Sequence, residues 1–333
     1  MALIATVVFV LPKKSQPPAA KAPVAFGPAP PSVAWALTWQ NGALGSSLAV
    51  IGVPPGAPAF AVVAPDDAAV DLPSGAPLTA GPASSTGPAA VETAQALMNK
   101  RVGHYLFSTP ADIAVLVKRM GGITFNAQGS VIVDGVAIGP GQTAANGDQV
   151  EAYLLSGTGV DRWVRWEDVV SGILDAKADP SAWSPLPGKT DAERVVAGLL
   201  ASAHGATVVD LPTATVFGTL KVDPKGVDAM IAASFKDSLG KLVRVIVQNG
   251  NGRPGMGQQV GALLAPYGYR VVESQNGSSF DEPTTKILAS GRSYMRWAEE
   301  AQGILGAGSV YLDPQPTGVA DVVIIVGKDF GTG

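Results

Sequence analysis

From Ser32 onward the first apolar segments, SVAWALTWQ, SSLAVIGV and AFAVVAP (residues 32–40, 46–53 and 59–65), are short and separated by Asn-Gly and Pro-Pro-Gly punctuation. That pattern predicts strands of a central sheet. Residues 74–87 read as a Ser/Gly/Pro loop, and helical periodicity follows over residues 89–98. A second helix opens at Thr109, with Pro110 at its first position and Asp112 at its third, and stops at Gly121-Gly122. Residues 131–138 read as a hairpin around Asp134-Gly135. Helices are expected over residues 146–155, 161–175 and 224–235. Another begins in the capping box Thr190-Asp191-Ala192-Glu193 and closes at Gly205. Residues 207–211 read as a further strand.

Strands and helices thus alternate irregularly as far as Ser238-Leu239-Gly240, where a second unit is expected to start. There Val243, Val245 and Val247 alternate along a strand that runs into a glycine loop, an apolar helix and a second strand ending near Ser274. The fold class is α/β: a mixed sheet flanked by helices, followed by a small C-terminal α/β domain. The expected division is residues 1–31, 32–238 and 239–333. No long linker separates the last two, so they are expected to touch.

Composition narrows the function classes. With 333 residues the chain can bury a sizeable core. Only 15% of residues are charged and the net charge is -4, so there is no basic stripe for nucleic-acid phosphates. The absence of cysteine excludes disulfides, iron-sulfur clusters and thiolate zinc sites. Residues 2–11, ALIATVVFVL, form an apolar run about half as long as a spanning helix needs. Lys13-Lys14 and a Pro/Ala-rich stretch to Pro31 follow. A buried strand and the second half of a truncated membrane anchor both fit the run. The proline-rich spacer favours the anchor.

Two readings compete for the C-terminal glycine loop. Gly250-Asn251-Gly252-Arg253-Pro254-Gly255 satisfies G-x-G-x-x-G between a strand and a helix, and Glu273 lies where a ribose-binding carboxylate would. This reading makes the chain an NAD-dependent oxidoreductase. Against it, the chain after Glu273 is short for a dinucleotide half, and Pro254 removes an amide from the loop. The other reading joins Val-x-Val-x-Asn-Gly-x-Gly-x-x-Gly, with Asn249, Gly250, Gly252 and Gly255, to the late ADVVIIVGKDF (residues 320–330). This pair resembles the C-terminal domain of LytR-CpsA-Psr cell-envelope proteins.

The resemblance extends upstream. Residues 91–125 are similar to that family's helix, His-Tyr strand, second helix and Gly-Gly-Ile strand. Asn146-Gly147-Asp148-Gln149 through Tyr153, then Asp161-Arg162-Trp163-Val164-Arg165, resemble its D-G-x-Q-A-L-x-Y and D-x-x-R-x-x-R-Q segments. Residues 59–73 resemble its strand ending in S-I-P-R-D. The resemblance implies a membrane-anchored, extracytoplasmic protein that handles a polyprenyl-pyrophosphate-linked glycopolymer or peptidoglycan, with Mg²⁺. Such chemistry calls for guanidinium forks on a pyrophosphate and carboxylate oxygens on a metal.

Here the family pattern is broken. Asp66 stands at the P-R-D arginine, Leu44-Gly45-Ser46-Ser47 replaces R-S-D-T, and Leu155 replaces the arginine after the helix tyrosine. Arg162 and Arg165 remain as candidates for pyrophosphate and Asp67 for the metal. The loss of cationic positions implies a catalytically impaired relative that binds or scaffolds during wall assembly. An active phosphotransferase with a rearranged phosphate site is the alternative.

Other chemistry has little support. His104 and His204, the only histidines, lie on different elements, and Ser46 and Ser47 sit in no G-x-S-x-G elbow. Trp35, Trp39, Trp163 and Trp166 could line a lipid or sugar groove, although at their spacing they read as core.

Overall fold

The computed structural model describes residues 29–39, 46–70, 72, 78–83, 87–133, 135–157, 161–176, 191–316 and 318–331. The expected N-terminal anchor, Leu44, Gly45, Asp134 and Thr190 lie outside them.

β1 (Ser32–Thr38), β2 (Ser46–Gly52) and β3 (Phe60–Ala64) form an antiparallel meander in which Trp35 stands opposite Ala49 and Val50 opposite Val62. β1 and β2 are buried along their whole length. This is why they read as apolar runs rather than clean alternations. Within the expected loop at residues 74–87, residues 78–83 hold structure instead. After β4 (Ala69–Val70), the chain makes β5 (Leu78–Thr79) and the short α1 (Ala80–Ala83). Backbone bonds from Ala80 N to Ala68 O and from Gly81 N to Asp66 O hold this piece against the sheet, a long-range effect that local composition does not carry. α2 (Gly87–Met98) then leads to β6 (His104–Ser108), which lies parallel to β1.

α3 (Pro110–Met120) starts and stops where the sequence predicts. Thr109 accepts from Asp112 N, the Asp112 carboxylate accepts from Thr109 N, and Gly121 ends the helix at φ 79°. β7 (Ile123–Ala127), the hairpin of β8 (Val131–Val133) and β9 (Val136–Ile138), and β10 (Gly141–Ala145) follow, β10 pairing with β7. α4 (Gly147–Leu155) has a reciprocal Asn146–Gln149 capping box. α5 (Asp161–Asp175) and α6 (Asp191–Ser202) precede β11 (Thr207–Asp210), which lies parallel to β3. The hairpin of β12 (Thr213–Val216) and β13 (Thr219–Val222) comes next. α7 (Pro224–Met230) then continues as a wider helical turn through Ile231–Phe235.

The central sheet has the order β11-β3-β2-β1-β6 and is covered on both faces. One face packs Trp35, Leu37 and Ile51 against Ile113, Leu116, Tyr153 and Trp166. Trp35 meets Trp166 edge to face at 5.0 Å between centroids. The opposite face packs Ala34, Ala36, Leu48 and Val50 against Met98 and Phe235.

The second sheet is built from β14 (Val243–Asn249), α8 (Met256–Leu264), β15 (Tyr269–Asn276), β16 (Lys286–Ala289), α9 (Met295–Leu305), β17 (Ser309–Leu312) and β18 (Val322–Val326), with strand order β15-β14-β18-β16-β17. Only the β16–β18 pair is antiparallel. Direct contacts join it to the rest. Arg101 and Gly240 exchange both backbone hydrogen bonds, Gln95 Nε2 donates to Ala265 O at 2.6 Å, and the Arg101 guanidinium lies 5.6 Å from the Trp297 ring centroid. This junction adjoins the amino ends of β1 and β6, where Gly103 abuts Pro30.

Candidate functional site

β1, β3, β6 and β11 run in one direction and β2 runs against them. Their pairing brings Thr38 and Trp39, the Asp66-Asp67 turn after β3, Ser108 and Asp210 to one edge of the sheet, together with Ser46 and Ser47 at the start of β2. Ligand sites of open α/β sheets lie outside such carboxyl ends. The C-terminal sheet is docked at the opposite end.

A short relay crosses this edge. Trp39 Nε1 donates to Ser47 Oγ at 3.0 Å, and Ser47 Oγ donates to Asp66 Oδ2 at 3.1 Å. Among the described residues, Asp66 Oδ1 has no partner, and neither do the buried hydroxyls of Ser46 and Thr38. Burial pushes the Asp66 carboxyl up to about 7, against the Ser47 hydrogen bond and the nearby Arg162 charge, which favour ionisation. Asp67 is exposed. At the same edge, burial and the adjacent Asp210 carboxyl push Glu167 up to about 7.

The two candidate arginines part company. Arg162 lies close enough to Asp66 to lower its carboxyl. Arg165 is 7% exposed and turned into the protein. Its Nη1 donates to Tyr153 O at 3.0 Å and to Ser156 Oγ at 2.6 Å, and its guanidinium lies 4.6 Å from the centre of the Tyr153 ring. It closes the C-terminal end of α4 rather than facing the sheet edge. Tyr153 Oη in turn donates to Asp168 Oδ2 at 2.6 Å, so Asp168 is a buried acceptor and not part of a solvated charged face. Leu155, at the family's other arginine position, is exposed. Trp35, Trp39 and Trp166 are core residues.

One Asp66 oxygen is committed to Ser47 and Glu167 is hydrogen-bonded to Asp210, which leaves Asp66 Oδ1 and the exposed Asp67 as the carboxylate oxygens a magnesium ion could use at this edge. Among the described residues, no group of three or more His, Asp or Glu side chains is placed to hold a metal. The relay from Trp39 to Asp66 was missed in the sequence because its three members lie in three separate segments. The departure of Asp66 from the arginine pattern was the only available signal.

The C-terminal glycine loop is closed on itself. Gly250 N donates to Val326 O, Gly252 N to Asn249 Oδ1 and Arg253 N to Asn251 Oδ1, while Asn249 Nδ2 donates to Arg253 O. Three loop amides that could otherwise cradle a dinucleotide pyrophosphate are therefore already satisfied. Gly252 and Gly255 take φ of 74° and 78°, and a Cβ on Gly250 would lie 2.9 Å from Val326 O. The glycines serve the turn and its packing.

Residues 242–330 match the family model described as LytR cell envelope-related transcriptional attenuator. The C-terminal part of the resemblance to LytR-CpsA-Psr cell-envelope proteins read from the sequence motifs is borne out by this match, and the expected α/β class by the sheets themselves. Among solved structures, the chain is similar to B. subtilis TagV at 15% identity and TM-score 0.49, covering 62% of this chain and 96% of that one. TagT bound to LI-WTA matches at 16% identity and TM-score 0.48, covering 66% and 99%. The LytR-CPS2A-psr family protein YwtF (TagT) with bound octaprenyl pyrophosphate lipid matches at 17% identity and TM-score 0.45, covering 66% and 99%. No curated protein matches the chain. Among the described residues, no helix is long and apolar enough to cross a membrane.

Proposed function

We propose that this chain works in the cell envelope, on the outer side of the membrane, as a LytR-CpsA-Psr-like protein that binds or scaffolds during cell-wall assembly and is impaired as a glycopolymer ligase. The match of residues 242–330 to a cell envelope-related family model carries the first half of this reading. The second half rests on Asp66. A mostly buried carboxyl stands where the family pattern has an arginine, hydrogen-bonded to Ser47 and facing Arg162 as its cationic neighbour. An anionic pyrophosphate placed there would meet a carboxylate above neutral pH, and Arg165 is committed to α4. Both effects remove the stabilisation on which phosphoryl transfer depends.

The test is a titration of the protein with octaprenyl pyrophosphate, with and without Mg²⁺, followed by a transfer assay onto peptidoglycan. Wild type is expected to show no transfer and weak, metal-independent binding. Asp66→Arg is expected to tighten binding by about tenfold, since it restores a charge-assisted contact. Transfer by the wild-type chain would sink the impaired reading in favour of an active phosphotransferase.

A further inference from the structure

The β12–β13 hairpin carries an uncharged tip: residues 212–220, PTATVFGTL, hold no ionisable side chain. Val216 pairs with Thr219, leaving the two-residue loop Phe217-Gly218, and both loop residues have positive φ, 50° and 77°. Turns of this kind favour Asn-Gly, because asparagine tolerates the left-handed region and a bulky residue does not. Phe217 is nevertheless there, and its ring is 103% exposed, beside Val216 at 39%. Strain and exposure both cost stability, and no packing in the fold repays them.

The hairpin has a defined place. Leu211 N donates to Val63 O at the carboxyl end of β3, Asp223 N closes the base on Pro212 O, and Lys221 pairs with Ala69, two residues beyond Asp67. The uncharged tip therefore stands beside the Asp66-Asp67 edge. We propose that it is a bilayer-contacting element that inserts Phe217 into the interfacial region of a phospholipid surface and holds the carboxyl end of the sheet against it. The proposal rests on the envelope reading above.

Lipid is favoured over a protein pocket by two observations. The tip is small with one aromatic at its apex, and it carries no charge whose desolvation would oppose insertion. The chain also carries the apolar run of residues 2–11, joined to β1 through residues 12–31. That spacer can reach about 70 Å when extended, enough for both segments to meet one surface. A single aromatic binds weakly alone, and a second contact on the same chain raises its effective concentration.

The chain has no cysteine, so single labels are site-specific. Phe217→Cys carrying a polarity-sensitive fluorophore is mixed with phosphatidylcholine/phosphatidylglycerol vesicles that contain no polyprenyl pyrophosphate. Tyr311→Cys, at another exposed position, is the control. A blue shift and quenching by a bilayer-embedded quencher are expected at 217 and not at 311. Unlabelled Phe217→Asn is expected to lower vesicle partitioning about fivefold while its melting temperature holds or rises, because Asn-Gly relieves the turn. No shift at 217, unchanged partitioning of Phe217→Asn, or a lower melting temperature in that variant would each overturn the proposal. The octaprenyl pyrophosphate titration uses no vesicles, so failure of the envelope reading shows separately.

Discussion

Ser47 donates its hydroxyl hydrogen to Asp66 across the carboxyl end of the central sheet, while the other Asp66 oxygen has no partner among the described residues. This pairing gives the protein a specific pH dependence. Burial raises the folded carboxyl to about 7 from an ordinary value near 3.8, so between those values the folded state holds a proton that the unfolded chain has released. Stability attributable to this group is present below the unfolded value and is lost as pH rises through about 7. Asp66→Asn keeps an acceptor for Ser47 and cannot ionise. It should match wild type near pH 4 and exceed it at pH 8 by on the order of 2 kcal/mol. Urea denaturation at the two pH values checks this, and equal stability of the two proteins at pH 8 would count against it.

Arg165 makes the opposite prediction from a phosphate ligand. Truncation to Ala removes the bonds to Tyr153 O and Ser156 Oγ, which still bond each other, and opens space beside Tyr153. A loss of about 2–3 kcal/mol is expected, with only partial recovery in Arg165→Lys, which cannot reproduce the planar fork. Thermal unfolding reads the loss, and affinity for pyrophosphate in the folded fraction should be unchanged. A stable Arg165→Ala with weakened anion binding would return Arg165 to the ligand site.

These two arginines show what the sequence could and could not carry. Helix α5 was legible to the residue from its periodicity, and the Thr109 cap from a three-residue pattern, because those signals are local. Arg162 and Arg165, three apart on one helix, stood together as candidates for pyrophosphate. Yet three residues span about 300° of helix, which leaves the two side chains about 60° apart. That offset suffices to put Arg162 toward Asp66 and Arg165 under α4. The relay through Trp39, Ser47 and Asp66 depends on strand order, which no local pattern encodes. Residues 78–83 were misread as loop for the same reason, since their backbone partners, Asp66 and Ala68, lie across the sheet edge.

Asn249 organises the C-terminal glycine loop rather than a cofactor. Its side chain accepts from Gly252 N at 3.0 Å and donates to Arg253 O at 2.8 Å. Asn249→Ala should cost about 1–2 kcal/mol through those two bonds. NADH should bind neither protein, as read by nicotinamide fluorescence. Saturable NADH binding by wild type would revive the dinucleotide reading that the occupied amides oppose.

The junction between the two sheets turns on Gly268 and Arg101. Gly268 takes φ 87°, and a Cβ built on it falls 2.5 Å from Arg101 Cγ and Cδ. Arg101 has little room to move: it is 8% exposed, lies over Trp297, and is pinned through its backbone to Gly240. Gly268→Ala therefore meets two costs, backbone strain of about 1 kcal/mol and displacement of a packed guanidinium. Together they should reach about 2–3 kcal/mol. The two separate in a double-mutant cycle. Removing the side chain in Arg101→Ala abolishes the steric cost but leaves the strain, so Gly268→Ala should cost only about 1 kcal/mol in that background. Calorimetry of the four proteins measures this. Additive losses would mean that the glycine is required only for its backbone angle, and that the Arg101 side chain does not fix the C-terminal sheet in place.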